Sequence, residues 1–325
     1  MLKAHHWRWT RHAVALCGVA ALALTACSSA STTEGTGSIE TPGGSVSQGA
    51  SDPSTHTKPA KPKKPVHIKT LNADNVQYGI GMPVIAFFSR KIKSGKALQD
   101  ATKVTVDGKP IDGGWYFEYS SYYKGYPIEA HWRPEHYWPA HSNVHVDIPA
   151  KGLSAGGNLA YNDSLTLDFS IGPKNVAVVN DITHHITVTS DGRKKFDFPV
   201  SLGASQTPTA RGIKVIMEKG VSICMSGPGY SECGIKYTQR LTYGGEYLHS
   251  APWNVSNINN GVDSSNGCTN LLPDNAATLY HFLEVGDVVE YPNANGPAMQ
   301  IGMGYGDWNV LWSTWQTGGL VSTTA

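Results

Sequence analysis

Beyond residue 66 the chain alternates short apolar stretches with turn-forming residues at β-strand spacing. Residues 84–88 (Val-Ile-Ala-Phe-Phe) form a continuous apolar run that suits a strand buried on both faces. Residues 104–106 (Val-Thr-Val) run into an Asp107-Gly108 turn signal. Residues 144–148 and 165–169 alternate with period two, as strands with one face in a core do. Size and strand spacing predict a β-sandwich over residues 67–172. A second β-rich unit follows over 173–293, with strands at 176–180, 185–189, 198–203 and 288–291. Its one main helix is predicted at 274–283, opened by Pro273 and carrying apolar Ala277, Leu279, Tyr280, Phe282 and Leu283. In the tail, 294–325, Trp308, Trp312 and Trp315 are spaced four and three apart, one face of a helix that would pack on the body. The fold class expected is mainly β.

The N-terminus changes the picture by setting the compartment. Lys3, Arg8 and Arg11 precede an apolar stretch over 13–24 that is too short to span a bilayer as a mature helix. It ends in Leu24-Thr25-Ala26-Cys27, which looks like a bacterial lipoprotein box. Residues 1–27 are therefore expected to be a lipoprotein signal peptide whose removal leaves Cys27 lipidated. An ordinary secretory signal cleaved near Ala26 is the alternative. Residues 28–66 are Ser/Thr/Gly-rich, then Lys/Pro-rich, with no apolar periodicity, and read as a disordered tether. A flexible coil of that length reaches about 30–35 Å. The expected location is exported, anchored by lipid to the outer face of the cell membrane and facing the cell wall. The formal net charge of +1, from 26 basic and 25 acidic residues, argues against nucleic-acid binding by bulk electrostatics.

Cysteine arithmetic then isolates one residue. Cys17 leaves with the signal and Cys27 takes the lipid, so Cys224, Cys233 and Cys268 remain, an odd number in an oxidising compartment. Cys224 and Cys233 lie close in sequence and could pair. The informative stretch is His249-Ser250-Ala251-Pro252-Trp253 followed by Ser265-Asn266-Gly267-Cys268-Thr269-Asn270. A thiol attacks as thiolate and titrates near about 8.5 when free, so it needs a base, and a nearby imidazole can accept its proton. Gly267 lets the backbone approach a substrate carbonyl, and the amides around Gly267 and Cys268 can face the developing oxyanion. Cys268 with His249 thus suggests acyl transfer. A buried free cysteine beside an unrelated histidine has the same composition.

These two motifs are similar to the signature of L,D-transpeptidases with the YkuD-type catalytic domain. The likeness extends to Ser201-Leu202-Gly203 with Thr207-Pro208-Thr209-Ala210-Arg211-Gly212, and to Gly286-Asp287-Val288-Val289-Glu290. Tyr78-Gly79-Ile80-Gly81-Met82-Pro83, Gly114-Trp115, Trp132-Arg133-Pro134 and Tyr137-Trp138-Pro139 resemble the Ig-like domain that precedes this catalytic domain in mycobacterial-type members. The tail Gly306-Asp307-Trp308-Asn309 resembles theirs as well.

The resemblance implies that Cys268 attacks the bond between the third and fourth residues of a peptidoglycan stem peptide and releases terminal D-Ala. A side-chain amine of a second stem then attacks the thioester, giving a 3→3 cross-link. His249 would serve as base and then acid, with the Ser250 carbonyl orienting its ring. Neither metal nor cofactor is implied, and carbapenems would acylate the same cysteine. Met225, Tyr230 and Tyr237 in a flap over 222–243, with Trp253, resemble substrate-lining residues. Cys224 and Cys233 are not part of the family's general pattern, and a disulfide between them would stiffen that flap. Members carry His immediately before Gly-Cys, where this chain has Asn266. Asn hydrogen-bonds but does not titrate. Altered rate or β-lactam preference is the expected consequence.

Other classes fit less well. A sortase needs an Arg after its cysteine, and no Lys or Arg follows Arg240. Papain-like and NlpC/P60-like hydrolases place Cys before His, the reverse of this order. An L,D-carboxypeptidase, or a catalytically weakened wall-binding lipoprotein, remains as the alternative. His184-His185 is discounted as a metal site because neighbours on a strand point to opposite faces. Tyr119, Tyr122, Tyr123 and Tyr126 suit strand packing better than sugar stacking.

Overall fold

The computed structural model describes residues 63–120, 122–227 and 230–324, the side chain of Tyr230 excepted. Cys27, the signal segment and nearly all of the expected linker lie outside the described residues. The last four linker positions do not, and three of them, Lys64–Val66, pair in parallel with Leu159–Tyr161. Val66 is apolar and buried there, so the core begins earlier than the polar composition of the linker suggests.

Two sheets build the sandwich. One orders Ile68–Thr70, Val84–Phe88, Ile128–Pro134 and Gly113–Tyr119; the other orders Gln77–Tyr78, Leu165–Ile171, Asn143–Ile148, Lys103–Val106 and Lys109–Pro110. Their inner faces share a core that includes Phe87, Phe88, Trp115, Trp132, Val146 and Phe169. The run at 84–88 is buried at every position, as expected of a strand covered on both faces. Tyr122 stacks on Phe87 with centroids 5.9 Å apart, and Tyr123 meets it edge-on at 4.8 Å, the packing use of these tyrosines. A short helix at Lys96–Ala101 was not foreseen.

The second unit is a nine-stranded sheet ordered Gly212–Val215, Val288–Tyr291, Asn175–Asn180, His185–Ser190, Arg193–Ser201, Thr269–Leu271, Tyr247–Ser250, Tyr230–Arg240 and Glu218–Gly227. The main helix is Pro273–Phe282, one residue from its expected place, and a second, unforeseen helix spans Val255–Asn260. The tail is not the continuous helix that the tryptophan spacing suggested. It is a 3₁₀ turn at Asp307–Asn309 and a single α-turn at Trp312–Trp315. The reason is Arg133. Its buried guanidinium lies 4.7, 5.4 and 4.3 Å from the rings of Trp308, Trp312 and Trp315, and it donates to the Val310 carbonyl at 2.9 Å. Desolvating that charge requires aromatic faces and a carbonyl together, which a broken segment supplies.

A second buried polar cluster joins the tail to the sandwich. His131, 1% exposed, places Nδ1 2.9 Å from Asp307 Oδ1 and Nε2 3.7 Å from one oxygen each of Glu118 and Glu129. Burial works against the imidazolium, but Asp307, Glu129 and Glu118 outweigh it and hold His131 charged well above its ordinary range. Burial pushes the Glu118 carboxyl up to about 8, against the pull of His131. Both groups bind their protons more tightly folded than unfolded. Their stabilising contribution is therefore complete at acid pH and fades as pH rises, for Glu118 between 4.5 and about 8. Melting temperatures measured from pH 5 to 9 should fall less steeply in Glu118→Gln than in wild type. His131→Gln should cost about 3–5 kcal/mol at neutral pH, because it leaves buried carboxylates unpaired.

Candidate active site

The site forms where two strands run side by side in the middle of the large sheet. Tyr247–Ser250 pairs in parallel with Thr269–Leu271, setting His249 opposite Asn270. Side chains two apart on a strand share a face, so Cys268, at the entry to the second strand, points to the same side as Asn270 and His249. All three line one cavity of about 540 Å³.

The turn that delivers Cys268 is clamped by the loop that follows residue 202. Ser264 and Ser265 donate their amides to the Leu202 carbonyl, Thr207 Oγ1 donates to the Ser265 carbonyl, and Thr209 Oγ1 donates to the Gly267 carbonyl. The clamp is close: a Cβ on Gly203 would lie 2.2 Å from the Thr207 carbonyl oxygen. Gly267 has φ +106°, which disfavours any L side chain. Ser265 Oγ closes the turn, donating to the Cys268 carbonyl at 2.5 Å and accepting from Gly267 N–H at 3.1 Å. The Gly267 amide, one of the two expected at the oxyanion, is thus engaged internally by Ser265.

His249 is buried and its Nδ1 lies 2.9 Å from the Ser250 carbonyl oxygen. A carbonyl only accepts, so Nδ1 carries the hydrogen and Nε2 of the neutral ring is a base. Trp253, 62% exposed, stacks on the ring at 6.0 Å. Burial holds His249 below its usual range, against the Ser250 hydrogen bond. Cys268 is a free cysteine, 8% exposed, with its Sγ donating to the Gly245 carbonyl at 3.5 Å. Burial pushes its thiol up to about 11; a hydrogen bond from the Tyr247 backbone pulls down, Glu246 adds to the rise and Lys214 opposes it. Burial, rather than a neighbouring imidazole, sets the direction here. Desolvation favours the uncharged form of both groups, so the resting pair is thiol and neutral imidazole.

The flap is the hairpin Glu218–Gly227 with Tyr230–Arg240, and a Cys224–Cys233 disulfide ties its strands together. Met225 lines the cavity as expected, while Tyr237 turns to the other side and packs on Tyr280 of the main helix at 5.7 Å. Asn266 lines the cavity with Ser265, and the buried Asn270 Oδ1 has no hydrogen-bond partner there. Glu232, Asn254 and Asn257 complete the wall without having been singled out from sequence. No motif marks them; they are ordinary surface-type residues brought in by the flap and the second helix. His184 and His185 face different carboxylates, Asp263 and Asp197.

Residues 174–290 match the L,D-transpeptidase catalytic-domain family and residues 40–154 a bacterial Ig domain. L,D-transpeptidase 2 of Mycobacterium tuberculosis is 30% identical over 266 residues, covering 78% of this chain and 63% of that protein. L,D-transpeptidase 5 of the same species is 34% identical over 266 residues, covering 76% of this chain and 56% of that protein. The chain therefore spans less than two thirds of these curated relatives' length. A solved LD transpeptidase in complex with imipenem superposes with a TM-score of 0.56 at 27% identity, covering 68% of this chain and 96% of that one.

Gly267→Ala should lower stability by at least about 1 kcal/mol, since the added Cβ meets a backbone that only glycine adopts without strain. Chemical denaturation of the two proteins measures it.

Proposed function

Because residues 174–290 belong to the L,D-transpeptidase catalytic-domain family and follow a bacterial Ig domain, we propose that this chain is a cysteine acyltransferase forming 3→3 peptidoglycan cross-links. The observation that carries the reading is the common face of Cys268, His249 and Asn270 in one cavity beneath the flap.

The neutral resting pair defines the first step. As Cys268 Sγ attacks the carbonyl carbon of the donor's third residue, its proton moves to His249 Nε2. The carbonyl electrons collapse onto oxygen, which the Cys268 amide stabilises. The Ser250 carbonyl holds the Nδ1–H of the imidazolium that forms, as the third member of a triad does. His249 then returns its proton to the departing nitrogen of D-Ala, and the C–N bond breaks to leave a thioester. An acceptor amine attacks that thioester, giving its proton to His249, and Cys268 leaves as thiolate and is reprotonated. Water in place of the amine would give an L,D-carboxypeptidase. A cavity of about 540 Å³ lined by Met225, Glu232, Ile235 and Asn266 suits a peptide stem, and a β-lactam would occupy the donor's place. The N-terminal segment supports a lipid anchor at Cys27 that would hold the enzyme outside the membrane, within reach of the wall.

Incubation with a carbapenem should add its mass to Cys268, and Cys268→Ala should abolish both the adduct and cross-linked dimers from a purified tetrapeptide donor. Absence of any adduct from wild type would refute the reading, whereas D-Ala release without dimers would turn it to hydrolysis. Because burial lowers His249 and raises Cys268, acylation should be constant from pH 6.5 to about 10 and fall below that range. Asn266→His should change the acylation rate constant while leaving the adduct on Cys268.

A further inference from the structure

Behind the nucleophile lies an ion pair that the proposed mechanism does not use. Lys214 sits on Gly212–Val215, at an inward position of an otherwise apolar stretch, and is 0% exposed. Its Nζ lies 2.5 Å from Glu246 Oε2 and 3.8 Å from the centre of the Tyr291 ring. The other Glu246 oxygen accepts from Ala210 N–H at 2.9 Å. Among the described residues, no other Lys or Arg ion pair buries its cation completely.

Burying two charges costs several kcal/mol per ion before their attraction is counted, and apolar residues of similar volume commonly fill such space at equal or better stability. A pair kept at this spot calls for a use other than stability, and its surroundings indicate one. Glu246 is one residue before the Tyr247 backbone that bonds Cys268, and a Cβ on Gly267 would lie 3.6 Å from Glu246 Cγ. On the Lys214 side, Tyr291 hydroxyl and Thr269 Oγ1 are 2.7 Å apart, and Thr269 directly follows Cys268. Lys214 is therefore fully buried and Glu246 mostly so, both beside the turn that carries Cys268, where charge–charge energies exceed those in water.

We infer that Lys214 and Glu246 are positioning residues that together set how readily Cys268 gives up its proton, Glu246 opposing the thiolate and Lys214 supporting it. The inference rests on Cys268 being the nucleophile. The groups facing that sulfur are Glu246, Tyr247 and His249 from the strand region beside it, Lys214 and Tyr291 from the two strands behind, and Glu232 from the flap. Of these, Lys214 is the cation on the buried side of the site; burial lowers its own pKa, against the pull of Glu246 and of Cys268. By its charge Glu246 opposes the Cys268 thiolate and Lys214 supports it. The pair thus keeps the carboxylate that braces Ala210 and the Gly267 turn while cancelling much of its cost to the thiolate.

Opposite signs make the test decisive. Alkylation of Cys268 by iodoacetamide in the full chain, followed by mass spectrometry of the Cys268 peptide across pH, reads its ionisation without any transpeptidase assay. Glu246→Gln, which keeps an acceptor for Ala210 N–H, should move the midpoint to lower pH by about one unit, about tenfold in rate at fixed pH. Lys214→Met should move it upward by a similar amount, Lys214→Arg should restore it, and the double variant should fall between the singles. Shifts of the same sign in both singles would mean general loosening and would overturn the inference. So would an unmoved or raised midpoint in Glu246→Gln, which decides the matter even if Lys214→Met fails to fold. A chain that takes no carbapenem adduct yet shows opposed shifts would fail the proposed function alone.

Discussion

Everything in the site depends on the register between Tyr247–Ser250 and Thr269–Leu271. The pairing is parallel and only three residues long, yet it decides whether His249 and Cys268 share a face. A slip of one residue would send one of them into the opposite layer, because side chains alternate with period two. Three residues of ladder could not hold that register alone. It is fixed from both sides, by Val200 and Ser201 against Leu271 and Asn270, and by Gln239 and Arg240 against Leu248 and Tyr247. The clamp from Leu202, Thr207 and Thr209 then fixes where the second strand begins.

Placing the pair so deep has an electrostatic consequence. Burial favours neutral forms, raising the thiol and lowering the imidazole, so the site stores no thiolate in advance. In the proposed reaction proton transfer would be coupled to attack, when the new oxyanion and the imidazolium form together and can be stabilised by groups already in position. A neutral thiol is also a poor target for oxidants, which suits an unpaired cysteine. The flap disulfide between Cys224 and Cys233 consumes the other two thiols and leaves Cys268 without a partner among the described residues.

Much of this was legible because it lies in short-range patterns. Alternation located the sandwich strands at 144–148 and 165–169, and a continuous apolar run located 84–88. The helix beginning at Pro273 followed from its proline and apolar spacing. The His249 and Cys268 motifs named the site's two central residues. What stayed hidden depends on contacts between distant segments. The tryptophans of the tail have helical spacing, but Arg133, far upstream, breaks their segment into two turns. Tyr237 belongs to the flap by sequence, but its side chain turns to the main helix from a left-handed backbone position, φ +56°, that no pattern of residues announced. Lys214 is legible only as an anomaly, a charge at an inward position between Ile213 and Val215.

The sandwich also contributes to the chemistry through backbone rather than side chains. Gly79 and Gly81 donate to the carbonyls of Val285 and Gly286 at 2.8 Å, with room for no side chain: a Cβ on Gly79 would meet Asp287 N at 2.2 Å. Those carbonyls immediately precede Val288–Tyr291, the strand whose Tyr291 supports Lys214 from one side and Thr269 from the other. Trp308 adds a bond to the Gly81 carbonyl at 2.8 Å, drawing the tail into the same junction. Moving the sandwich relative to the large sheet would therefore pull on the strand behind the nucleophile. The two domains work as one body because the second depends on the first for the exact seat of Tyr291, and through it for the charges beneath Cys268.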